Sequence, residues 1–91
     1  MSDDTVTEVT VPQGTRATLG DLLIGLGGVL VDPDRAMLSL RDRRTGEESS
    51  DLTVEVGTSA RYGEWQLALL EIKPEFGLDV ARIAVTTGAT A

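Results

Sequence analysis

Acids, arginines and a single tyrosine are the side chains here with chemistry to offer. The 91 residues include no histidine and no cysteine, which removes the usual general base, the usual metal ligands and both common catalytic triads. Catalysis would rest on carboxylates, Tyr62 or Lys73. A carboxylate pair of the glycosidase kind must converge on one bond at roughly 5 to 9 Å. The acids in this sequence are scattered, and the odd spacing of Glu64 and Glu71 puts them on opposite faces of a regular strand. Nucleophile, base and oxyanion donors cannot be nominated together. The reading is non-catalytic, with no cofactor and no metal.

Each remaining constellation has an ordinary reading beside the functional one. Asp32 and Asp34 could serve a calcium ion, which takes ~6–8 oxygens, but Asp32-Pro33-Asp34-Arg35 is first of all a proline turn. The run Gly25 to Gly28 has a superficial likeness to a phosphate loop, yet no Lys-Ser/Thr follows it and no GxGxxG is formed. Arg41, Arg43 and Arg44 make the one basic cluster, at an expected hairpin tip. Pairing of that tip with Glu47 and Glu48 on solvated surface outweighs a phosphate site. Tyr62 and Trp65 flank a turn, where a ring can stack on a sugar or anchor a partner. The candidate interaction residues are Tyr62, Arg61, Arg43 and Arg44.

The elements that must position them are strands. A chain of this length with 41% hydrophobic residues supports one domain with little core to spare, and no disulfide can supplement it. Residues 1–4 read as a disordered start, residues 5–87 as a single β domain, and residues 88–91 as a small-residue tail. Val6, Val9 and Val11 among Thr and Glu predict an edge strand, followed by a turn with Pro12 at its second position and Gly14 at its fourth. A short strand follows at 16–19. The stretch Leu19 to Val31 suits a buried helix or a buried strand, and four glycines favour strand. At period two, Leu22, Ile24, Leu26 and Leu30 share one face while Gly25 and Gly27 leave a trough on the other.

The clearest hairpin joins Ala36–Asp42, with Leu38 and Leu40 inward, to Leu52, Val54 and Val56. The stretch Gly57 to Lys73 then holds the only Trp, the only Tyr and the strongest apolar run, and predicts an internal strand from Trp65 that Lys73-Pro74 stops. Trp65 is expected to fill the trough at Gly25 and Gly27. Phe76 and Leu78 are expected to fold back as a lid, and Val80–Thr87 to close the domain with Ile83 and Val85 inward. No internal repeat is read.

These features predict an all-β fold: a small antiparallel β-sandwich or partly open barrel of six to seven strands, with little or no helix. A net charge of −7 repels nucleic acid and anionic lipid. No signal peptide or membrane span is read, so the expected setting is cytoplasmic. Seven arginines against one lysine, with abundant Ala, Gly, Val, Asp and Thr, suit a GC-rich bacterial genome. The expected function is a binding or assembly module acting through a sheet edge, a hairpin tip or an acidic face. Its partner would be a protein or a second copy. Two other readings stand beside it: a small-molecule or carbohydrate binder using Tyr62, Trp65 and Arg61, and a virion or particle subunit.

Overall fold

Alternation of apolar and polar residues at period two runs through most of the chain, and the runs are ended by turns that carry glycine, except at Val31-Asp32-Pro33-Asp34, where proline serves. A computed structural model describes residues 5–46 and 48–87. The expected tails at 1–4 and 88–91, and the expected partner Glu47, lie outside the described residues. Eight strands result: β1 (Thr5–Pro12), β2 (Arg16–Leu19), β3 (Leu22–Leu30), β4 (Arg35–Asp42), β5 (Ser50–Glu55), β6 (Ser59–Tyr62), β7 (Trp65–Glu75) and β8 (Leu78–Thr87). They form two four-stranded antiparallel sheets, ordered β1-β8-β7-β6 and β2-β3-β4-β5. The fold is the expected all-β sandwich with one strand more than six to seven. The extra strand is β6, whose sequence Ser-Ala-Arg-Tyr has too little alternation to announce itself.

Contrary to the reading from sequence, the chain is internally repeated. Gly14-Thr15-Arg16-Ala17-Thr18-Leu19-Gly20-Asp21 and Gly57-Thr58-Ser59-Ala60-Arg61-Tyr62-Gly63-Glu64 lie 43 positions apart and fold alike. Gly14 and Gly57 have φ of 84° and 89°, and Gly20 and Gly63 both 61°. Thr15 N donates to Pro12 O, and Thr58 N to Glu55 O, each at 3.0 Å. Pro12 thus occupies the first position of its turn and Gly14 the third, where the left-handed φ of a type II turn requires glycine; the expected second and fourth positions are corrected. Gly14 N and Gly57 N then donate to Leu26 O and Leu69 O, each at 2.9 Å. The bulges match as well, at Gly27 in β3 and Leu70 in β7.

The repeats exchange their first strands. β1 pairs with β8 of the second repeat, and β5 with β4 of the first, so a pseudo-twofold maps one sheet onto the other. All fourteen buried residues of the core cluster fall into pairs under it: Val11/Val54, Leu22/Trp65, Ile24/Leu67, Leu26/Leu69, Ala36/Ala81, Leu38/Ile83 and Leu40/Val85. Each large side chain among them contributes about 1.5–3 kcal/mol by leaving water. The inward positions expected of Leu38, Leu40, Ile83 and Val85 hold.

Several local expectations are overturned. Strand prevails over helix in 19–31, but as the end of β2 and the whole of β3 on either side of a turn at Gly20-Asp21; the bulge at Gly27 reverses the faces of β3, so Leu30 turns outward and Val29 packs on the core. Trp65 occupies the place of Leu22 in the opposite sheet, inside the sandwich, whereas Gly25 and Gly27 line the outer surface. It does not fill their trough. β7 continues through Lys73-Pro74 to Glu75 because β6 pairs only as far as Ala68, leaving Pro74 at a free edge where no donor is needed. Phe76 and Leu78 form no lid; both are exposed on the β7–β8 hairpin.

Candidate interaction surface

At one end of the sandwich the β2–β3 turn, the β6–β7 turn and the start of the β4–β5 connection meet around Arg44. Both turns place a left-handed glycine first, Gly20 and Gly63, as in type II′ hairpins. This sets Asp21 and Glu64 at equivalent places. The Arg44 guanidinium reaches Glu64 Oε1 at 2.8 Å, Asp42 Oδ2 at 3.0 Å and Asp21 Oδ2 at 3.8 Å. Its carbon centre lies 4.9 Å from the Trp65 ring centroid, a cation–π contact. Tyr62 stacks on the same Trp65 with centroids 6.2 Å apart and planes at 14°.

Arg44 is half exposed and pairs with Asp42, two positions before it, but it also reaches Asp21 and Glu64 on two other turns; pairing with Glu47 lies outside the described residues. Arg44 bridges three turns. Its hydrogen bonds to Asp42 hold that carboxyl below its usual range, against an opposing contribution from burial, and the same bonds with Glu64 raise the pKa of Arg44. Three acids that looked scattered converge on one cation, and the cluster keeps a net negative charge. Among the described residues no group of three His, Cys, Asp or Glu is arranged to hold a metal. Of the candidate interaction residues, Tyr62 and Arg44 are brought together through Trp65. Arg43 donates its backbone N to Asp21 O at 2.8 Å, and Arg61 lies opposite Gln66 on β6.

The outer faces of the two sheets differ. Across β1, β8 and β7, Arg82 reaches Glu8 Oε1 at 3.1 Å and Glu71 Oε1 at 3.0 Å, a cross-strand ladder of charge. The twofold equivalents of Arg82 and Glu71 are Met37 and Gly28, adjacent on β4 and β3. Met37 is exposed and its sulfur lies over Gly28. Around it run two open depressions of about 200 and 180 Å³ that share Gly27 and Ser39. The first is bordered by Gly25 and Arg16, the second by Asp51 and Thr53. The trough read from the glycines exists, on the outer surface.

Nothing internal requires those glycines. Gly25, Gly27 and Gly28 have φ values open to any residue, and an added Cβ would make only ordinary contacts of 3.5 to 3.7 Å. At the equivalent places of β7 the same backbone carries Ala68, Leu70 and Glu71. A strand glycine costs about 0.5–1 kcal/mol relative to Ala.

The feature that sequence reasoning missed is Phe76. It is fully exposed and holds a left-handed φ of 52° in a two-residue turn, with Gly77 following at 81°. Glu75, paired with Lys73 at 3.2 Å, and Leu78 flank the turn, with Asp79 the next residue along β8. The type I′ geometry favours Asn, Asp or Gly at that place, so a bulky ring there is strained. The signal was available: a Phe-Gly pair between two alternating runs is a hairpin tip, whose first residue cannot face the core.

No family model matches the chain, and no curated protein is significantly similar to it. Among the described residues no helix is long and apolar enough to cross a membrane.

Proposed function

We propose that the protein is a non-catalytic binding or assembly module that acts through the outer face of the β2–β5 sheet. One observation carries this reading: three mid-strand glycines that neither backbone conformation nor packing demands, at places where the second repeat carries side chains. Glycine inside a strand weakens it and marks close approach by another group. The face around them is also less acidic than the molecule. Arg16, Arg35 and Arg41 occupy its outward positions beside Asp51 and Glu55, in a chain of net charge −7. Such a face suits an acidic or apolar partner, and not the basic partner that overall charge suggests.

The test is whether the glycines serve folding. A variant with Gly25→Ala, Gly27→Ala and Gly28→Ala is expected to fold and to gain about 0.5–1 kcal/mol per site. Each kcal/mol raises the melting temperature by about 4–8 °C in a domain of this size. A lower melting temperature would return the glycines to a structural role and remove the basis of the reading.

A further inference from the structure

A second copy of this chain supplies what the glycine face accepts. Phe76 is the one aromatic ring of the described residues that is fully exposed, and it is held out on a two-residue turn between Glu75 and Leu78. The tip is apolar, with exposed Leu78 beside the ring, and its acids are Asp79 and a Glu75 that Lys73 pairs at 3.2 Å. The face is open at Gly27, between Met37, whose sulfur lies over the half-buried Gly28, and the Arg16 stem, which covers the buried Gly25. Met37 is a soft, adaptable wall for an aromatic edge, and Arg16 offers its cation to the acids of the tip. Each surface breaks a local rule at a cost to the fold: unneeded glycines in a strand, and a bulky ring in a left-handed turn. The two breaches are complementary in shape and charge.

We infer that the β7–β8 tip of one molecule docks Phe76 onto the glycine face of another, giving head-to-tail self-association. This rests on reading that face as a binding surface. One ring buries about 150–250 Å², well below the ~1,200 Å² of a stable interface. The contact belongs to the weak class, formed at high local concentration. Because tip and acceptor are different surfaces, the contact is heterologous and each molecule can both give and receive.

Complementation between two variants tests it. Phe76→Ser removes the tip and leaves the acceptor; Gly27→Leu fills the acceptor with the side chain that the equivalent bulge in β7 already carries, and leaves the tip. By sedimentation equilibrium at ~0.1–1 mM, the range of weak contacts, wild-type protein is expected to rise above its 9.6 kDa monomer mass. Each variant alone stays monomeric, and an equimolar mixture of the two recovers a mass near that of a dimer and grows no further. Monomeric wild type overturns the inference, as does a mixture that fails to recover or a variant that associates unaided. The glycine face itself is judged separately by the melting temperature of the triple alanine variant, which does not depend on self-association.

Discussion

Arg44 lies half exposed between three carboxylates and an indole; Asp42 is its neighbour in sequence, whereas Asp21, Glu64 and Trp65 come from two other hairpins. No local pattern announces the reach from Arg44 to Asp21 and Glu64. Period two did place Trp65, Leu67 and Leu69 on one face, because burial alone sets that pattern. Asp42 gives the bridge a pH dependence of known sign. Its folded pKa is lowered by Arg44, so its contribution is complete above the unfolded value of about 3.9 and is lost as pH falls through the lower folded value. Melting temperatures of wild type and Asp42→Asn are expected to differ by a constant amount above about pH 4 and to converge below it. A gap unchanged down to pH 2 would remove Asp42 from the bridge.

Among the elements, the β7–β8 hairpin is the informative one. Its counterpart between β3 and β4 turns through residues 31–34, whereas β7 and β8 pair two rows further and turn through Phe76-Gly77 alone. That difference moves the repeat from 43 positions apart at Leu26/Leu69 to 45 at Leu38/Ile83. The drift, with only four identities in the eight-residue motif, hid the duplication from a reading by composition and turns. The strands themselves were legible wherever one face was buried; β6 was not, being short and small-residued. Hydrophobicity alone sent Phe76 inward, and turn geometry overrode it. Since the left-handed region costs most residues about 1–2 kcal/mol and Asn tolerates it, Phe76→Asn is expected to stabilise the fold by about 0.5–1 kcal/mol in urea unfolding. A destabilised variant would mean that the ring supports the hairpin, contrary to its exposure.

At the scale of the whole molecule, duplication explains why two halves that bury equivalent cores carry unlike surfaces. The twofold constrains only what faces inward: seven core pairs match in place, while outside Glu71 answers to Gly28 and Arg82 to Met37. Freed from packing, one sheet keeps a charged ladder and the other an open glycine face. The repeat thereby supplies its own control, a sheet of the same backbone whose equivalent depression, about 380 Å³, is lined by Ala68 and Leu70 in place of Gly25 and Gly27. The central claim is that the glycine face, and not the equivalent face of β6 and β7, receives the β7–β8 tip. Backbone amide shifts followed by two-dimensional NMR from ~0.05 to ~1 mM, a range suited to weak contacts, test it most directly. Gly25, Gly27 and Gly28 are expected to shift together with Phe76 and Gly77, while Ala68, Leu70 and Glu71 stay still. Shifts at the second set, or none at the first, would contradict the account.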